Sequence, residues 1–274
     1  MHHTTSSAPV RTPQLVVLAD VHLGDPHNRT EALSSYLASI QPDVLVINGG
    51  LIDLSSRHPL PAAHRAVSHG LLRLSATGTR IYYLIGDHDA TLRQYPSFSA
   101  GNMHLREELV LQLGGRRYWF LNGEGLELLG TPGPGSVDYR RRRTLYRWYR
   151  RSWSRWRPGT LLNPGDGTSS VDRQHRFERN ARALARGAAF DGVVCGHTGV
   201  PALSPADASG VRYANPGSWN RYRTSIEVQD GEWRLHHHEM PAAPPTRLSL
   251  ERLGQLARRP EARFLQLLGL GLAT

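Results

Sequence analysis

Four short apolar runs, each ending in a cluster of Gly, Asp, Asn or His, constrain this chain more than any other feature. Residues 15–19 lead into Asp20. Residues 44–47 lead into Asn48-Gly49-Gly50, and residues 81–85 into Gly86-Asp87-His88-Asp89. Residues 192–195 lead into Gly196-His197-Thr198-Gly199. Apolar runs of this length, bounded by turn residues, read as buried strands. Between the first three lie stretches with helical spacing. Residues 30–40 carry Leu33, Tyr36, Leu37 and Ile40 behind a Thr30 cap, and residues 61–74 open with Pro61 in the first turn. Strand alternating with helix implies an α/β fold, in which ligands bind beyond the carboxyl ends of the strands. The polar clusters fall at those ends.

Further along, residues 109–113 and 118–121 flank Gly114-Gly115 and read as a hairpin. Residues 211–215, 225–229 and 233–237 close the sheet, the last two joined by a turn at Asp230-Gly231. The expected organisation is a frayed N-terminus over 1–12, a core over 13–135 and 188–240, and a helical cap inserted over 136–187. A linker and an amphipathic helical tail follow over 241–274.

At 274 residues the chain is long enough for one large domain with an insertion. With 39% hydrophobic and 20% charged residues it has the composition of a soluble globular protein. No apolar run approaches the length of a membrane span, about eighteen residues. The start, Met1-His2-His3-Thr4, carries no secretory pattern. Cys195 is the single cysteine, which excludes an intramolecular disulfide and a cysteine-built zinc site; it reads as a small buried hydrophobe. A cytoplasmic location is expected. The net charge is +10 and all 33 basic residues are Arg. Nine of them stand between Arg140 and Arg157 with no acid among them, so the remainder is near neutral and a whole-surface nucleic-acid binder is not expected.

Asp20-Val21-His22 places a carboxylate and an imidazole two residues apart. In an extended segment both would share a side and could face one metal. The set Asp20-Val21-His22, Gly50-Leu51-Ile52-Asp53, Gly86-Asp87-His88-Asp89 and Gly196-His197-Thr198 resembles, in order, the motifs of the calcineurin-like metallophosphoesterase superfamily. Val193-Val194-Cys195-Gly196-His197-Thr198, then Tyr213-Ala214-Asn215-Pro216-Gly217-Ser218-Trp219, then residues 224–231, resemble its branch of bacterial UDP-2,3-diacylglucosamine pyrophosphatases. The likeness runs from about Leu15 to about His238.

The resemblance implies an α/β metallophosphoesterase sandwich flanked by helices. It also implies two divalent ions bridged by an aspartate, roughly 3.5–4 Å apart in such sites. His88 would assist the departing oxygen, with Asp89 orienting it, and a helical cap would handle the lipid part of the substrate. The sequence departs from that pattern. Gly50 stands at the bridging aspartate, Asn122 at an isolated His, Gly199 at the last His, Asp87 at an Asn and Ser218 at an Asp. Arg221 stands where an acidic neighbour is usual. Without the shared carboxylate, repulsion disfavours a second ion first. The metal site is therefore expected to be degenerate, holding one Mn, Zn or Fe ion through Asp20, His22, Asp87 and His197, with Asn122 as a weak amide ligand. Asp53 reads as structural. His27, His58, His64, His69 and His104 read as surface imidazoles, and His236-His237-His238 as a partly exposed strand.

In residues 140–157, Leu145, Trp148, Tyr149, Trp153 and Trp156 follow helical spacing among the arginines. The stripe can pack on the domain with the arginines solvated. It can instead meet an anionic membrane surface, or contact phosphate or nucleic acid. The lipid reading ranks above the nucleic-acid one because residues 248–270 add a second apolar-basic helix. Arg140, Arg143, Arg147, Trp148 and Asn215 are the expected substrate-binding residues. Two functions stay open. One is a divergent hydrolase of a phosphoester or pyrophosphate, acting on a phosphorylated small molecule or nucleotide-lipid. The other is a catalytically impaired scaffold that binds an anionic lipid, nucleotide or protein. The oligomeric state is not legible.

Overall fold

In the computed structural model, the described residues are 10–25, 28, 30–52, 62–95, 97–126 and 170–239. They belong to one compact unit, Met1–Glu239. Asp53, His27 and His58, most of the expected cap with Arg140, Arg143, Arg147 and Trp148, and the expected tail lie outside the described residues.

The apolar runs form strands: β1 (Leu15–Leu18), β2 (Val44–Asn48), β3 (Arg80–Leu84) and β8 (Gly192–Val194). Two helices separate the first three, α1 (Glu31–Ala38) and α2 (Ala62–Ala76). A 3-10 turn (Ala90–Gln94) then precedes β4 (Ser99–Ala100) and β5 (Met103–Arg106). The hairpin is β6 (Glu108–Leu113) with β7 (Arg116–Leu121), and α3 (Ser170–Gly187) leads into β8. The chain closes with β9 (Ala202–Ser204), β10 (Arg212–Asn215), a one-turn helix α4 (Trp219–Tyr222), β11 (Thr224–Gln229) and β12 (Glu232–His237).

One sheet runs β12-β11-β1-β2-β3-β5-β4 and the other β6-β7-β8-β10-β9. β1, β2, β3 and β5 are parallel, with Leu15 opposite Val44 and Ile81 opposite Met103. In the second sheet β7, β8 and β10 are parallel. The outer strands of both sheets pair antiparallel. Because side chains alternate along a strand, one face of each sheet meets the other. Leu15, Val17, Val46, Leu84, Ile226 and Val228 pack there with Tyr118, Phe120, Val194 and Ala214. On the other side of the second sheet, Trp119, Leu121, Val193, Cys195 and Tyr213 pack with Phe177, Ala181, Leu184 and Ala185 of α3. Burying a large side chain of this kind contributes roughly 1.5–3 kcal/mol.

Three expectations are corrected here. Residues 170–187, expected within the cap, form the core-packed helix α3, whose many arginines hide an i, i+4 apolar stripe of Phe177, Ala181 and Ala185. Thr30 holds the N-cap position of α1 without capping it, and its hydroxyl is buried with no partner. His64 is not a surface imidazole. It is 2% exposed, its Nδ1 accepts from Gly24 N at 2.9 Å and its Nε2 donates to Asn28 O at 3.1 Å. It thereby braces the loop that follows His22.

Candidate active site

The carboxyl ends of the parallel strands are sewn together by main-chain hydrogen bonds. His22 N donates to Gly50 O at 2.7 Å and Asp20 N to Gly49 O at 3.2 Å. Gly196 N and His197 N share Asn122 O at 3.1 and 3.0 Å, which ties the ends of β7 and β8. Trp219 N donates to Ala19 O and Ser218 N to Gly199 O, which brings the second sheet's last loop against β1. Asp20 and His22 have φ of 48° and 50°, a left-handed conformation uncommon for residues with a Cβ. It costs roughly 1–2 kcal/mol per residue. The backbone here is thus left-handed, not the extended segment expected from the two-residue spacing. Both side chains still reach one place: a Cβ built on Gly50 would lie 3.0 Å from Asp20 Oδ1 and 3.2 Å from His22 Cε1.

The same place gathers the other loops. His88 meets His22 edge-on, with ring centroids 4.7 Å apart. His197 Nδ1 lies 3.7 Å from Asp87 Oδ2, and its ring stacks on Phe177 of α3 at 6.2 Å. A Cβ on Gly199 would stand 3.2 Å from Asp20 Oδ2. The two oxygens of Asp20 therefore face the two glycines that replace expected ligands. Burial, and then the negative charge of Asp87, push the Asp20 carboxyl up to about 7. Burial acts on Asp87 in the same direction, but hydrogen bonding and charge from His197, with the charge of His88, outweigh it and hold Asp87 well below the ordinary carboxylate range.

Asp89, expected to orient His88, has both carboxylate oxygens engaged elsewhere. Its buried carboxylate accepts from Gly50 N at 3.1 Å, from Gly86 N at 2.5 Å and from the Tyr83 hydroxyl, so it locks the ends of β2 and β3 together. Asn215, expected to bind substrate, has its side chain engaged within the protein. It is fully buried, with Nδ2 donating to Thr198 Oγ1 at 3.0 Å and Oδ1 accepting from Gly217 N at 2.8 Å. Asn122 is buried among Gly49, Gly86 and Asn48. Its Nδ2 donates to Asn48 O at 3.4 Å, and its Oδ1 has no partner.

Among the described residues Gly50 supplies no bridging carboxylate, and the cradle its Cβ would fill holds Asp20. By donor type, Asp20, His22, Asp87 and His197 suit a divalent ion. Their placement is looser than a preformed cage, because among the described residues no three His, Cys, Asp or Glu side chains stand close enough to hold one ion. Arg93 and Glu124, a buried ion pair beside this loop cluster, were not singled out in the sequence. They are 31 residues apart and no short motif links them.

Comparison with known proteins gives three results. UDP-2,3-diacylglucosamine hydrolase of Aeromonas hydrophila is 26% identical over 247 residues, covering 81% of this chain and 98% of that protein. Among solved structures, vacuolar protein sorting 29 from Cryptosporidium parvum is 15% identical at a TM-score of 0.37, covering 83% of this chain and 97% of that one. An archaeal phosphodiesterase is 10% identical at 0.40, covering 81% and 98%. The calcineurin-like phosphoesterase family matches residues 14–201, more than half the chain, and it is to this family that the chain belongs.

Proposed function

We propose that this chain hydrolyses a phosphoester or pyrophosphate at a divergent site with at most one well-held divalent ion. The observation that carries the reading is the meeting of His88 with His22 and of His197 with Asp87, where Asp20 fills the space beside Gly50 and Gly199. Asp20, His22, Asp87 and His197 would hold the ion, Mn, Zn or Fe, which when bound supplies Lewis acidity and an activated water. The chain's own residues do the rest. His88 is exposed at the rim, and its imidazole gives a proton to the leaving oxygen. Asp87 fixes the His197 ring through Nδ1, and α3 supports that ring from behind. Arg140, Arg143, Arg147 and Trp148 supply cationic and stacking groups for an anionic substrate. Likeness to a UDP-2,3-diacylglucosamine hydrolase supports a nucleotide-lipid as the substrate class.

The test is turnover of a chromogenic phosphodiester with Mn²⁺, Zn²⁺ or Fe²⁺ added. Asp20→Ala and His88→Ala are each expected to lower it by about 10²-fold or more. Activity unchanged in Asp20→Ala would come from a contaminant or another site and would remove the reading.

The second reading, a binding scaffold without turnover, is favoured by one observation: among the described residues no three metal-binding side chains are gathered at one point. Among the described residues no helix is long and apolar enough to cross a membrane. Contact with the inner face of an anionic membrane would then come from the Arg- and Trp-rich segment. Failure to sediment with anionic liposomes at moderate salt would rule that contact out.

A further inference from the structure

Arg93 lies in the 3-10 turn that follows the Gly86–Asp89 loop. Its side chain is 6% exposed. One terminal nitrogen, Nη2, donates to Gly86 O at 3.2 Å and to Glu124 Oε1. Glu124 is 1% exposed and stands two residues beyond Asn122. The other nitrogens, Nε and Nη1, are buried with no acceptor among the described residues.

A guanidinium stays charged in any protein environment and offers five donors in a rigid plane. Buried donors left unmatched cost free energy, and more so on a charged group. An ion pair kept only to join two loops would be replaced by apolar side chains without loss. The pair with Glu124 occupies Nη2 alone and keeps the plane from swinging away. The carbonyl that Nη2 holds belongs to Gly86, one peptide before Asp87, so the unmatched donors sit beside the loop that carries Asp87 and His88. A flat cation with free N–H groups, held next to a phosphoesterase-type site, matches the oxygens of a phosphoryl group.

We infer that Arg93 recognises a phosphate oxyanion through Nε and Nη1, with Glu124 as its positioning residue. The choice of phosphate as the oxyanion rests on the functional reading above; the unmatched donors do not. Both donors are shielded from water, so a phosphate reaches them through a small opening of the turn. That opening lowers the apparent affinity by the fraction of time the turn is open.

Inorganic phosphate is titrated into the metal-free full chain and followed by calorimetry. Wild type is expected to bind one phosphate saturably. The double variant Arg93→Met with Glu124→Gln removes both charges together. It is expected to bind about tenfold or more weakly, the loss of a charged hydrogen bond. Arg93→Lys keeps the charge without the planar fork and should also weaken binding. Equal affinity in wild type and double variant, or no binding to wild type, overturns the inference. Should the double variant fail to fold, a crystal of wild type grown with phosphate decides. An oxygen in hydrogen-bond range of Nε or Nη1 supports the inference, and phosphate elsewhere or absent overturns it. The readout is binding, so phosphate held by Arg93 in a chain that hydrolyses nothing defeats only the hydrolase reading.

Discussion

At Gly50 the backbone has a φ of 59°, and a side chain there would press on Asp20 and His22. Gly50→Asp would therefore restore an acid at the cost of left-handed strain, and would set one carboxylate against another. Metal-free Gly50→Asp is expected to lose about 1–3 kcal/mol in urea unfolding. Excess Mn²⁺ should return most of that loss, because a cation between the carboxylates stabilises only the folded form. Persistence of the full loss with Mn²⁺ would show that the two acids do not share a cation. Asp89 makes a different forecast. Asp89→Asn turns one acceptor into a donor facing Gly50 N, Gly86 N or the Tyr83 hydroxyl, and should cost about 1–3 kcal/mol of stability. If Asp89 served His88 instead, the pH–rate profile would move while stability stayed put. Gly50, Asn122 and Gly199 were legible in the sequence because each falls at a fixed offset after an apolar run. The partners of Asp89 were not, since main-chain donors leave no mark in composition.

At the scale of elements, β12 carries a titratable group with a sign that can be worked out. His238 follows β12 and packs on Tyr36 and Trp219. Its Nε2 pairs with Ser225 Oγ at 2.9 Å, in a network that runs through Tyr36 to Glu227, which Arg11 and His236 also contact. Burial first, then the charge of His236, push its pKa down from 6.5 to about 4. A histidine depressed in the folded state takes up its proton later than in the unfolded chain. Its stabilising effect is thus complete above pH 6.5 and is lost as pH falls from 6.5 towards 4. Urea midpoints should drop over that window in wild type, and drop less in His238→Gln. An identical drop in both would assign the effect to other groups. The continuous apolar strands were readable as runs and α1 from its periodicity. β4, β5 and β9 were not, because runs of two to four mixed residues carry no period.

For the whole molecule, the order of loop motifs specified the fold, because two sheets in this topology bring all parallel strand ends to one edge. What order could not specify was how the side chains turn at that edge. Left-handed φ at Asp20 and His22, the burial of Asn215, and the pairing of Arg93 with Glu124 depend on contacts between distant segments. Of the net charge of +10, the nine arginines between Arg140 and Arg157 supply nearly all. The measurement that bears most directly on the account is the number of tightly held divalent ions per chain, by elemental analysis after dialysis against Mn²⁺, Zn²⁺ or Fe²⁺, in wild type and Asp20→Ala. The account predicts one ion in wild type and its loss in Asp20→Ala. Two tightly held ions in wild type, or an unchanged count in Asp20→Ala, would contradict it.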